Sequence, residues 1–172
     1  MTGTRQILFI QGGGAGTHDD WDNKLVESLW RELGDGQEVR YPRMPDENDP
    51  SHAKWSPAIR REMADLDDGA IVAGHSVGAT ILINALAERP PECVLEAIVL
   101  IAAPFVGEGG WPSDEFELPK DLGARLPHGV RVHVFHGPAG RDRPTVACRP
   151  VCPGDPAGAG APAARARSPA EQ

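Results

Sequence analysis

The sequence has no histidine beyond His136, and its last 35 residues contain only two large aliphatic side chains, Val146 and Val151. That stretch holds seven Pro, four Gly and nine Ala instead. Such a segment cannot bury enough apolar surface to offset the entropy of ordering it. A folded body over residues 1–137 and a disordered Pro/Ala/Arg-rich tail over residues 138–172 are therefore expected. Cysteine is scarce too: Cys93, Cys148 and Cys152 are too few and too unevenly placed for a disulfide framework. Cys148 and Cys152 have no further ligands near them, so no metal is expected. No run approaches the roughly 20 apolar residues of a membrane span. The opening MTGTRQILFIQGGG enters a strand pattern without the layout of a signal peptide, so the cytoplasm is the expected compartment. Positive charge is short, with 17 basic residues against 25 acidic ones and a net charge of -8. This argues against nucleic acid or an anionic membrane as partner, because both attract basic surfaces. The imbalance lies in the body, since the tail holds five basic and three acidic residues.

What remains is a chain of 172 residues, long enough for one domain with its own core. Residues 6–11 (QILFIQ) form a short apolar run without alternation, as expected of a strand buried on both faces. Residues 21–33 carry apolar side chains at 21, 25, 26, 29, 30 and 33, a helical stripe that Gly34 ends. A short strand is predicted at 39–41 and a helix at 57–66, with Pro57 in its first turn. A second buried strand is predicted at 70–73, a helix at 79–87 stopped by Arg89-Pro90-Pro91, and further strands at 97–102 and 130–135. Strands alternating with helices predict an α/β fold: a three-layer αβα sandwich around a mainly parallel sheet.

The chemistry concentrates in IVAGHSVGATILINAL, residues 71–86. Gly74-His75-Ser76-Val77-Gly78 is a G-x-S-x-G sequence with a strand before it and a helix after it. A serine at a sharp strand-to-helix turn exposes its hydroxyl, and small residues two positions either side let neighbouring backbone pass. The Val77 N–H, at the helix N-terminus, can then bind a developing oxyanion. Gly12-Gly13-Gly14-Ala15-Gly16 follows the first strand. A dinucleotide fingerprint would need glycine at Thr17, and no Gly-Lys-Ser/Thr follows, so both nucleotide motifs fail. The loop is expected to supply a second oxyanion donor near Gly13. No cofactor is expected.

Three stretches together, QGGGAGTHDDW, YPRMPDENDPSHAKWSPAIRREM and GHSVG, resemble the α/β-hydrolases. Within that fold they resemble the small serine hydrolases of the retinoblastoma-binding serine hydrolase (YdeN-like) type. Met44-Pro45-Asp46 and Trp55-Ser56-Pro57 match that pattern, and the likeness spans residues 5–137. It implies a carboxylesterase-like hydrolase acting on a small-molecule ester, with Ser76 as nucleophile, an acid after the strand at 130–135 and a histidine near the C-terminus. The sequence departs from the last two. Asp142 falls where the acid is expected, but in GRDRP its neighbours do not match. His18 and His52 read as locally bonded loop residues, His75 adjoins the serine, and His128, His133 and His136 lie near or on the last strand. A serine hydroxyl is a weak nucleophile without a histidine to take its proton. The chain is thus expected to lack its last strand and helix, its acid and its base, and to be impaired or a non-catalytic binding protein. The tail's composition is that of GC-rich DNA read out of frame. A reading one base later from Pro138 permits both an acid turn and a histidine loop, so a one-base insertion near Gly137 is expected.

Overall fold

The apolar runs become five strands: β1 (Arg5–Ile10), β2 (Gln37–Arg40), β3 (Ala70–His75), β4 (Leu95–Ile101) and β5 (Arg131–Phe135). They are taken from a computed structural model that describes residues 4–104, 106 and 114–137. All neighbouring pairs are parallel, in the order β2-β1-β3-β4-β5. The helices are α1 (Asn23–Leu33), α2 (His52–Ala64), α3 (Val77–Glu88) and the short α4 (Leu122–Arg125). The α/β architecture expected from the sequence is the one observed. None of these helices is long and apolar enough to cross a membrane.

Alternation along the strands assigns the two faces. Leu8, Ile10, Val72, Ile98 and Leu100 point to one side and pack with Trp55, Ile59 and Met63 of α2 and Ile81, Leu82 and Leu86 of α3. Phe9 and Ala73 point to the other and meet Val26 of α1, flanked by Val39, Tyr41, Val99 and Ile101. The first cluster is by far the larger, and α3 is buried along nearly its whole length. Burying one Leu, Ile or Phe side chain stabilises by about 1.5–3 kcal/mol, so this face carries most of the hydrophobic stabilisation.

Three helix starts differ from expectation, α3 simply beginning two residues earlier, at Val77. Helix α2 begins at His52, capped by the Ser51 hydroxyl, which accepts the Lys54 N–H at 3.3 Å. Pro57 is therefore inside the helix rather than in its first turn. Ser51 is the stronger start signal because its side chain satisfies an orphan N–H, which Pro57 cannot do. Helix α1 begins at Asn23, after a π-helical turn over Thr17–Asp22 that holds Trp21 outward at 68% exposure. Of the stripe read from the sequence, Val26 is buried, whereas Leu25, Trp30 and Leu33 are exposed. The stripe predicted the helix correctly but overstated its burial, because among the described residues no second helix lies beside α1 on that face.

The strand order reverses between β1 and β3. In such sheets the carboxyl ends of the strands at the reversal open a crevice. The ends there are Gln11-Gly12-Gly13 after β1 and Ser76 after β3. The tail over residues 138–172 lies outside the described residues, and with it Asp142, Cys148 and Cys152. So do Phe105 and residues 107–113.

Candidate active site

Ser76 joins β3 to α3 with φ 52° and ψ -133°, a conformation that a residue with a side chain rarely adopts. Among the described residues two other non-glycine residues have positive φ, Asp46 at 51° and Ala102 at 50°. The turn at Ser76 is held by its own backbone: the Ser76 N–H donates to Ile101 O at 2.8 Å, and Ser76 O accepts the Ala79 N–H at 3.0 Å. The flanking glycines are sterically required. A Cβ on Gly78 would lie 1.9 Å from Gln11 O, and one on Gly74 would lie 2.7 Å from Ala79 Cα. Neither neighbour is a flexible side-chain end that could move aside. G-x-S-x-G is here the sequence trace of a helix packed against two strands through bare backbone.

The loop after β1 closes over this turn. A Cβ on Gly12 would come within 3.3 Å of Ser76 Cβ, and one on Gly13 within 2.9 Å of Val77 Cγ1. Most of the loop's amides are committed. The Gly12 N–H donates to Asp22 Oδ2 at 2.7 Å and the Gly14 N–H to Glu47 O at 2.6 Å. The Gly16 and His18 N–H groups donate to the Glu47 carboxylate at 3.0 and 3.2 Å. No hydrogen bond among the described residues uses the N–H of Gly13 or of Val77, the two amides singled out in the sequence. Val77 is also the first residue of α3, where the helix dipole favours negative charge.

Three polar residues missed in the sequence build this loop. Gln11 is wholly buried; its amide donates to Glu47 Oε2 at 2.7 Å and accepts the Met44 N–H at 2.9 Å. The Gln11 hydrogen bond, with those from His18 and Gly16, holds the Glu47 carboxyl below its ordinary value of 4.5, against an opposing effect of burial. Asp22 is the third, with a side chain only 4% exposed. Besides the Gly12 N–H it takes His75 Nδ1, at 2.9 Å to Oδ1 and 3.1 Å to Oδ2. A polar residue closing an apolar strand, as Gln11 does, was the one signal available. Nothing in THDDWD distinguished which carboxylate turns inward.

The histidines divide clearly. His18 is locally bonded as expected: Nδ1 meets Asp19 Oδ1 at 2.8 Å, and the ring stacks on Tyr41 at 4.2 Å between centroids. His52, the first residue of α2, has Nε2 3.3 Å from Glu88 Oε1. His128 and His136 are exposed. His133 pairs with Val99 on the α1 face of the sheet. Among the described residues no hydrogen bond joins any histidine to Ser76, and no cluster of side chains could hold a metal ion. A cavity of about 640 Å³ lies at the far end of the sheet, lined by residues such as Arg61, Leu66, Arg89 and Cys93. It does not include Ser76.

Residues 7–121 match the family model described as serine hydrolase. No curated protein matches the chain. Among solved structures, the ydeN gene product of B. subtilis is similar at 21% identity and a TM-score of 0.49, over 58% of this chain and 52% of that one. A putative YdeN-like hydrolase from Pectobacterium atrosepticum is similar at 20% identity and a TM-score of 0.48, over 77% and 63%. Polyneuridine aldehyde esterase is similar at 20% and 0.43, over 58% and 40%. The chain thus spans about half the length of the first of these proteins.

Proposed function

The chain belongs to the serine hydrolase family, and from that premise we propose that its site is built for ester hydrolysis through Ser76. The Ser76 hydroxyl attacks the carbonyl carbon of a small-molecule ester. The Gly13 and Val77 N–H groups hold the resulting oxyanion, the alcohol leaves, and water then cleaves the acyl-serine. The observation that carries this reading is the backbone at Ser76: a non-glycine residue at φ 52°, at the N-terminus of a buried helix, beside two uncommitted amides. Strain of this kind persists where the surrounding structure over-determines it.

Attack also needs a proton acceptor, and the sequence offers no histidine after His136. Asp142, the one acidic residue near the expected place of the acid, lies outside the described residues. Turnover is therefore low. Loss of a triad member leaves only the roughly 10³–10⁴-fold acceleration over water that oxyanion binding and positioning supply. We propose a one-base insertion near Gly137 as the cause, the alternative being a native low-complexity tail. Sequencing the coding DNA tests this, and a shifted frame without an Asp turn and a terminal histidine refutes it.

The missing base also favours a second reading, a non-catalytic protein that holds a partner on the same fold. Such a partner would be held by the pocket or by the loops around Trp55 and Trp111, but Trp55 is fully buried, and its indole N–H donates to Pro45 O at 2.7 Å. Trp111 lies outside the described residues. An ester assay beside a pull-down, with Ser76→Ala as control, separates the readings. Activity lost in Ser76→Ala with binding kept marks the hydrolase, and binding without any Ser76-dependent activity marks the binder.

A further inference from the structure

Asp22 occupies the N-cap position of α1, yet its side chain makes no capping hydrogen bond. Its backbone is helical, with φ -75° and ψ -24°, because the π-helical turn over Thr17–Asp22 runs directly into α1, so the carboxylate is free to point elsewhere. The carboxylate turns instead into the protein and accepts from two donors, one in the loop after β1 and one at the end of β3. One is the Gly12 N–H at 2.7 Å; the other is His75 Nδ1, 2.9 Å from Oδ1. At 4% exposure such a carboxylate is tolerated only because both donors are there. Each donor stands one residue before a group that the proposed reaction uses. Gly12 precedes Gly13, whose N–H faces the oxyanion, and His75 precedes Ser76.

We propose that Asp22 is a positioning residue: by holding Gly12 and His75 at once, it fixes the spacing between the Gly13 amide and the Ser76 hydroxyl. The inference rests on the reading of Ser76 as nucleophile. The contacts around Gly12 show how little slack the spacing has. A Cβ there would be 3.1 Å from His75 Nδ1 and 3.3 Å from Ser76 Cβ, so the gap between Gly12 and these two residues is too tight for even a methyl group to fit comfortably. Glu47 fastens the far side of the same loop through Gly16 and His18. Asp22 fastens its near side to the strand that carries the serine, just beyond the ladder that pairs Ile10 of β1 with Gly74 of β3. His75 serves as the donor in this clamp: its Nδ1 meets Asp22, and no hydrogen bond among the described residues links the ring to Ser76.

The test compares the full-length chain with Asp22→Asn, His75→Asn, His75→Ala and Ser76→Ala. It reads p-nitrophenyl acetate hydrolysis above the Ser76→Ala background and amide hydrogen exchange. Asp22→Asn keeps the shape but presents one acceptor where two donors converge. It should lower kcat about 10- to 100-fold, the effect of a displacement near 1 Å, with KM changed less than about threefold. Exchange should rise in residues 11–16 while β3 and β4 keep their protection. His75→Asn, whose amide can donate where Nδ1 does, should stay within about threefold of the parent, and His75→Ala should fall with Asp22→Asn. Three results overturn the proposal: His75→Asn falling as far as His75→Ala, Asp22→Asn leaving kcat and exchange unchanged, or Asp22→Asn removing protection throughout the sheet. If the parent itself shows no Ser76-dependent turnover, the ester reading fails. The exchange pattern of Asp22→Asn then decides the clamp by itself.

Discussion

Strands β3 and β5 run in the same direction in one sheet and end at the same edge, yet they are held very differently. Every residue of β3 is buried or half-buried, between α2 and α3 on one side and the α1 cluster on the other. In β5 only Val132 and His133 are even half-buried, and Phe135 is 52% exposed. β3 delivers Ser76 into a turn fixed by backbone contacts on all sides. β5, an edge strand among the described residues, delivers His136-Gly137 at the point where the sequence changes composition. The residue proposed as nucleophile thus follows a strand buried on both faces, the kind of rigid element on which precise sites generally stand. The strand after which an acid and a base are expected is the least held of the five.

Substitutions can break or sharpen this contrast. The largest effect is expected from Gly78→Ala. Its methyl would lie 1.9 Å from Gln11 O, so α3 must move off β1 and the loop that β1 carries, at a cost of about 3 kcal/mol or more. Urea denaturation reads this directly, and a cost below about 1 kcal/mol would show that the helix is not seated as described. Next comes the pair Val72→Ala and Phe135→Ala. Val72 is fully buried, so losing two methyl groups should cost about 2 kcal/mol. Phe135 loses far more carbon but should cost only about 1 kcal/mol, because half of it is already in water. If the phenylalanine proves the costlier of the two, the contrast between the strands is wrong.

A smaller, pH-dependent effect is expected at Glu47. Its carboxyl is held below the ordinary value of 4.5 by Gln11 and by the His18 and Gly16 amides. A depressed carboxylate contributes stability above its unfolded pKa and loses it as pH falls through the folded one. Stability should therefore drop as pH falls below about 4.5, and Glu47→Gln should flatten that part of the profile. Thermal unfolding of both proteins from pH 6 to pH 3 checks it. An unchanged slope would mean that Glu47 does not carry the loop.

Much of this was legible in the sequence. The unalternating runs marked β1, β3 and β4 because a parallel sheet buries both faces of its strands. GHSVG marked the turn because two glycines at fixed distance from a serine report local backbone crowding. The contacts of Gly74 with Ala79 and of Gly78 with Gln11 are of that kind. What escaped was non-local. Gln11 meets Glu47 across 36 residues and Asp22 meets His75 across 53, and no local pattern tells one acidic residue of a loop from the next. Helix α2 was started too late because Pro57 drew attention from Ser51, whose side chain makes the cap. The stripe on α1 predicted more burial than the described structure provides, since periodicity reports which residues could share a face and not what covers it.

The central proposal is that Ser76 is the nucleophile and that no histidine is placed to activate it; among the described residues none is hydrogen-bonded to it. The most direct measurement is the rate at which a fluorophosphonate probe modifies the protein, with the adduct located by peptide mapping. The account predicts slow labelling confined to Ser76 and absent in Ser76→Ala. Labelling at the rate of an intact serine hydrolase, or an adduct on any other residue, would contradict it.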